Sequence, residues 1–139
     1  MRLLKLLTTK ELEHQIKTEY LKIYGIIKKE LDINFYPNLP NADDGEYVYA
    51  NDVGYHYVLC ERGKEIEHKI TDDVFEISFW AIYPSLIRPS FDYELQNRDE
   101  TLDYGEVAFA KQLEYLELLG ENFKKRGEIE ISQILENNP

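Results

Sequence analysis

Glu46-Tyr47-Val48-Tyr49-Ala50, Asn51-Asp52-Val53-Gly54, Tyr55-His56-Tyr57-Val58-Leu59-Cys60-Glu61, Arg62-Gly63 and Lys64-Glu65-Ile66-Glu67-His68-Lys69-Ile70 follow one another without a gap. The side-chain period here is two, and the two runs of turn formers cut the stretch into three short strands, Tyr47 to Ala50, Tyr55 to Glu61 and Glu65 to Ile70. With Arg62-Gly63 as a two-residue turn, Leu59 faces Ile66, Tyr57 faces His68 and Tyr55 faces Ile70, which gathers the apolar side chains on one face and Glu65, Glu67 and Lys69 on the other. A slip that set Tyr57 opposite Glu67 and Leu59 opposite Glu65 would break that segregation. Arginine is a poor residue for the positive φ that such a turn demands.

Upstream, Thr8 followed by Glu11 forms a capping box. Leu12, Ile16, Tyr20, Ile23, Ile27 and Leu31 then recur at steps of three and four, which predicts a helix running to about Asp32 with Lys17, Lys22, Lys28 and Lys29 largely on its outer side. Asn34, Pro37, Asn38, Pro40, Asn41, Asp43, Asp44 and Gly45 predict a loop before the first strand. Downstream, Thr71-Asp72-Asp73 starts a second helix with Val74, Ile77, Trp80 and Ala81 on its buried face. Pro84 stops or kinks it, and Pro89 fits the first turn of a third helix carrying Phe91, Leu95 and Arg98. Val107, Ala110, Leu113, Leu116 and Leu119 mark a further helix, Gly120 a break, and Phe123, Ile131, Ile134 and Leu135 a last one. The expected fold is α+β: an N-terminal helix, a small antiparallel β-meander, then several helices packed on it, in a single domain spanning residues 1–139.

Charge narrows the function classes. The chain of 139 residues carries a formal charge of −11, with seven Lys/Arg against five Asp/Glu up to Pro40, four against ten from Asn41 to Pro89, and five against twelve from Ser90 onward. Such acidity argues against nucleic acid as a partner, since like charge repels over a Debye length of about 8 Å at physiological salt. It favours encounter with a basic protein, or serves only solubility. The one cysteine, Cys60, excludes an internal disulfide framework, and no apolar run approaches the roughly 20 residues of a membrane span, so a cytoplasmic location is expected.

Chemistry-bearing motifs are not found. His14, His56, His68 and Cys60 lack the paired spacing of a zinc site, and the favoured register points His56 and His68 to opposite faces, so no metal and no cofactor is expected. Cys60, in mid-strand, reads as a small hydrophobe. No phosphate-binding loop or nucleophile elbow occurs, and no catalytic residue is assigned. Tyr47, Tyr49, Tyr55 and Tyr57 suit either an interface or, for about half of them, the core. The acidic run Asp92, Glu94, Asp99, Glu100, Asp103 and Glu106 suits a basic partner or a solvated face.

Tyr55-His56-Tyr57, Glu61-Arg62-Gly63-Lys64-Glu65, Thr71-Asp72-Asp73 with Glu76 and Trp80, Tyr93-Glu94-Leu95 with Asn97-Arg98, and Lys111-Gln112-Leu113-Glu114 come in an order and spacing that resembles immunity-protein family 63 of bacterial polymorphic toxin systems. The resemblance covers roughly residues 50–138. It departs from the family pattern at Gly105-Glu106, where a basic pair is expected, and near Phe123, where a tryptophan is expected. It implies a protein that neutralises a cognate toxin by binding, with no catalysis of its own, Glu61 and Arg62 holding the turn and Trp80 anchoring the core. The −11 charge suggests a basic toxin such as a nuclease. The partner-facing residues expected are Asp72, Asp73, Glu76, Asp99, Glu100, Asp103 and Glu106. A small hydrolase with a carboxylate site, or a protein-binding adaptor using the basic first helix and the tyrosines, remain alternatives at this level.

Overall fold

The computed structural model describes residues 5–36 and 43–138, so Pro37, Asn38, Pro40 and Asn41 of the expected loop lie outside the described residues. The element order is α1 (Thr9–Ile27), β1 (Gly45–Ala50), β2 (Tyr55–Glu61), β3 (Lys64–Thr71), α2 (Val74–Ile82), α3 (Pro84–Gln96), α4 (Tyr104–Leu119) and α5 (Glu121–Asn137). This is the α+β class, with the helix, meander, helices order read from the sequence. Among the described residues no helix is long and apolar enough to cross a membrane. The chain forms two compact units, one holding α1 up to Thr18 together with Leu31–Ala81, the other holding Glu19–Glu30 together with the residues from Ile82 onward.

In the first unit α1 opens as its capping box requires: the Glu11 amide donates to Thr8 Oγ1 at 3.1 Å and the Thr8 amide to Glu11 Oε1 at 2.9 Å. The next hydroxyl does different work. Thr9 Oγ1 accepts from the Ala50 amide at 2.9 Å and donates to the Ala50 carbonyl at 3.3 Å, fastening the start of α1 to the end of β1. The Tyr55 hydroxyl accepts from the Leu7 amide at 2.8 Å, so β2 holds the same entry segment. Leu12 and Ile16 are fully buried.

The sheet is antiparallel in the order β1-β2-β3. The outer edge of β1 is covered by Asn34, whose amide donates to the Glu46 carbonyl and whose carbonyl accepts from the Val48 amide, both at 3.0 Å. Arg62-Gly63 is the two-residue turn, and both residues have positive φ, +53° and +76°. Next to the turn the register is the expected one, with Glu61 opposite Lys64 and Cys60 opposite Glu65. Beyond it the expectation fails. Ile66 is an extra residue in β3, a β-bulge, so that Leu59 faces Glu67, Val58 faces His68, Tyr57 faces Lys69 and His56 faces Ile70. A one-residue shift exchanges the two faces of a strand, and Ile66 and Ile70 are accordingly exposed, at 56 % and 49 %. The bulge and the flanking Lys64 and Lys69 also blunt an edge strand that would otherwise invite pairing.

In α2 the capping group is Asp73, whose Oδ1 accepts from the Phe75 amide at 2.9 Å, while Thr71 Oγ1 accepts from the Asp73 amide at 3.1 Å. Ile77, Ser78, Phe79 and Ala81 are buried. Trp80 is only half buried, and Lys69 Nζ sits 4.5 Å from its ring centroid and 5.1 Å from that of Tyr57, so Trp80 is a cation-holding ring at the rim rather than a sealed core anchor.

In the second unit α1 stops at Ile27, five residues short of the expected end. Lys28 takes φ +56°, and its amide donates to the Tyr24 carbonyl at 2.7 Å, the left-handed stop that glycine usually provides. The tyrosines of the last turns hold the departing chain: the Tyr20 hydroxyl donates to the Lys29 carbonyl at 2.6 Å and the Tyr24 hydroxyl to Glu30 Oε1 at 2.7 Å. Pro84, not Pro89, starts α3. Pro89 lies within that helix, where it cannot supply the amide hydrogen that the Ser85 carbonyl would receive.

The buried stripe of α4 runs through Ala108, Gln112, Tyr115, Leu116 and Leu119, which leaves Ala110 exposed, against expectation. A polar residue sits inside it because its hydrogen bonds are met: the Tyr83 hydroxyl donates to Gln112 Oε1 at 2.6 Å, Gln112 Nε2 donates to Ser90 Oγ at 3.0 Å, and the Ser90 hydroxyl donates to the Ile87 carbonyl at 2.6 Å. Burial pushes the Tyr83 phenol up to about 12, keeping it a donor. Gly120 breaks the chain between α4 and α5 as expected, at φ +143°. On α5, Gly127 lies so close to α4 that an added Cβ would stand 2.3 Å from Leu116 Cδ1 and 3.2 Å from Leu113 Cδ2.

Two substitutions check these statements by urea unfolding. Gly127→Val should cost roughly 1–3 kcal/mol, because the added side chain would collide with Leu116, which is fully buried; unchanged stability would mean that α4 and α5 are not this close. Arg62→Asn should gain about 0.5–1 kcal/mol by placing a residue suited to positive φ before Gly63; a loss would show that the turn is not of this type.

Candidate partner-binding site

Of the seven carboxylates expected to face a partner, Asp72, Asp73 and Glu76 belong to the first unit and Asp99, Glu100, Asp103 and Glu106 to the second. In the first, the Asp73 carboxylate is spent on the α2 cap, Asp72 is exposed, and Glu76 is half buried in the first turn of that helix.

The four in the second unit fall within the connection between α3 and α4 and the start of α4, and all are exposed. Two of them build it. Asp99 Oδ1 accepts from the Thr101 amide at 2.9 Å and the Thr101 hydroxyl at 2.6 Å, which holds the Asp99 carboxyl below its ordinary value. Asp103 caps α4, its Oδ1 accepting from the Glu106 amide at 3.1 Å. Glu100 and Glu106 are exposed on a backbone fixed by their neighbours. Arg98, which also feels the charge of Glu100, donates to both oxygens of Glu94, at 3.0 and 2.8 Å, and its guanidinium lies 6.0 Å from the Tyr104 ring centroid. Glu94 is buried, so of the acidic run it does not present a charge, and Asp92 sits 3.6 Å from Arg88.

Other candidates change standing. Tyr47, Tyr55 and Tyr57 are buried and Tyr49 is half buried against His56, so the tyrosines of the meander are core rather than a presented surface. Exposed aromatics among the described residues lie elsewhere, at Tyr24, Tyr36, Tyr93 and Tyr104. Burial pushes the Cys60 thiol up, with the charges of Glu65 and Asp44 adding to the effect, which withholds the thiolate a nucleophile needs. A cleft of about 570 Å³ lined by Leu6–Thr9 and Ala50–Asp52 carries a single carboxylate, Asp52. Glu11, Glu13, Glu94 and Asp99 are displaced downward by hydrogen-bond donors, the reverse of what a general acid working near neutrality needs.

The pairing that sequence reasoning missed is His56 with His68. They share a face, with Nδ1 of His56 and Nε2 of His68 2.8 Å apart, because the Ile66 bulge reverses the parity of β3. Alternation alone carries no signal for a bulge. The nitrogens that face each other are joined by a hydrogen bond and offer no lone pairs to a shared ion, and among the described residues no group of three His, Cys, Asp or Glu is placed to hold a metal.

No curated protein and no solved structure matches this chain. The family model described as immunity protein 63 matches residues 51–133, from the β1–β2 turn through β2, β3, α2, α3 and α4 into α5. That match covers more than half of the chain and takes in sequence from both compact units, and the chain therefore belongs to the immunity protein 63 family.

Proposed function

We propose that this immunity protein works in the bacterial cytoplasm as a single domain that neutralises a cognate toxin by binding it and covering its active surface, without chemistry of its own. The family match carries the immunity role. The charge supports the choice of partner: an acidic protein of net −11 meets a basic toxin domain faster than a neutral one would, and a nuclease, which must itself hold polyphosphate, is the toxin class whose surface such a protein can occupy. Neither nucleic acid nor membrane is a partner in this reading.

The docking surface proposed is the connection from Asp99 to Glu106, with Asp72, Asp73 and Glu76 as a second acidic contact. Within it the roles divide. Asp99 and Asp103 shape the backbone through their caps, and Glu100 and Glu106 offer the charge that a lysine or arginine of the toxin would meet. Ordered backbone around an exposed carboxylate lowers the entropy lost on binding.

Co-expression with the toxin encoded beside it tests the reading. The chain should restore growth and co-purify with the toxin; failure of both would overturn the immunity role. A double substitution, Glu100→Lys with Glu106→Lys, tests the surface separately, since neither side chain caps a helix. It should weaken binding by about tenfold or more while the thermal midpoint stays within a few degrees, and full affinity in that variant would move the contact elsewhere.

A further inference from the structure

Four residues from three parts of the sheet form one hydrogen-bonded chain. His56 Nε2 lies 2.9 Å from Asn51 Oδ1, His56 Nδ1 lies 2.8 Å from His68 Nε2, and His68 Nδ1 lies 3.3 Å from Glu65 Oε2. His56 is only 5 % exposed, with Tyr49 of β1 stacked flat on it at 4.5 Å between centroids. The titratable groups around it are thus Tyr49 from β1 and His68 and Glu65 from β3, with the Asn51 amide at the β1–β2 turn.

Counting donors settles the protons. Asn51 Oδ1 also accepts from the Val53 amide at 2.9 Å and the Gly54 amide at 3.3 Å, and backbone N–H groups can only donate. The atom facing His56 is therefore the oxygen, and His56 Nε2 carries a hydrogen. If His56 is neutral, its Nδ1 is an acceptor, so His68 Nε2 must donate to it. The remaining nitrogen, His68 Nδ1, faces a carboxylate and is the place where an added proton gains a partner. Once His68 carries a hydrogen on both nitrogens, a proton on His56 Nδ1 would set N–H against N–H across 2.8 Å.

We infer that the pair is an acid-operated latch: it tolerates one added proton, on His68, and a second proton, on His56, opens the link between the β1–β2 turn and β3. The Asn51 oxygen would then lose its side-chain donor, and the turn amides it holds would become easier to expose. Burial and the neighbouring His68 charge both lower the proton affinity of His56, in keeping with this order. Because the folded value lies below the unfolded one, the stability that His56 lends is fully present above the unfolded value of about 6.5 and declines as pH falls from there through the folded value. The latch does not depend on the immunity role, and its test needs no toxin.

Long-range ¹⁵N–¹H correlation spectra of the histidine rings, followed from pH 8 to pH 4 beside amide exchange at Val53 and Gly54, decide the matter. At pH 8 His56 should be the Nε2–H tautomer. His68 should titrate first, His56 at a lower pH, and exchange at both amides should quicken only with the His56 step. An Nδ1–H tautomer for His56, protonation of His56 before His68, or exchange that ignores the His56 step would overturn the proposal. His68→Gln keeps a donor for His56 but removes the charge, and should raise the His56 midpoint; an unchanged midpoint would count against the coupling. Should that variant not fold, the wild-type series alone still decides.

Discussion

One inserted residue governs the sheet. Ile66 stands in β3 without a partner in β2, and every side chain of β3 after it lies on the face opposite to the one that simple alternation assigns. Two arrangements follow. His68 comes onto the face of His56 and Tyr49, where the imidazoles form their 2.8 Å hydrogen bond. Lys69 goes to the face of Tyr57, where its ammonium lies over both that ring and Trp80. A β3 without the bulge would bring neither about, and Ile66 and Ile70 would not be exposed.

The second unit is organised by satisfied polar groups rather than by a purely apolar seam. Gln112 is fully buried, and Tyr83 and Ser90, from the start and middle of the α3 region, supply the donor and acceptor that make its burial tolerable. Such a network demands particular positions for three side chains, which ties α3 to α4 in one arrangement. The acidic surface then follows from capping chemistry. Asp99 and Asp103 are where they are because turns and helix starts need acceptors for their amides, and they fix the backbone that carries the exposed Glu100 and Glu106. Part of the chain's acidity is thus structural, and only the remainder is available to a partner.

What the sequence made legible is what local chemistry decides. Thr8 with Glu11, Arg62 with Gly63 and Gly120 after α4 each act through neighbours a few residues away, and each appears in the structure as read. The misreadings share a different cause. The end of α1 is set by Lys28 in a left-handed conformation and by tyrosine hydroxyls reaching forward from Tyr20 and Tyr24, with no glycine or proline to announce it. The stripe of α4 was misplaced because apolar periodicity cannot see a glutamine whose partners lie on another helix. The bulge at Ile66 leaves composition and alternation untouched, so the histidine pair that depends on it was hidden too. For the acidic residues, type and position were readable, but which carboxylates are spent on caps was not.

If the acidic protein holds a basic toxin through charge, as proposed, the affinity between the two purified proteins must depend on salt. Between 50 mM and 500 mM salt the dissociation constant should rise by about tenfold or more, mainly through slower association as screening shortens the reach of the acidic surface. An affinity that stays the same across that range would contradict the account.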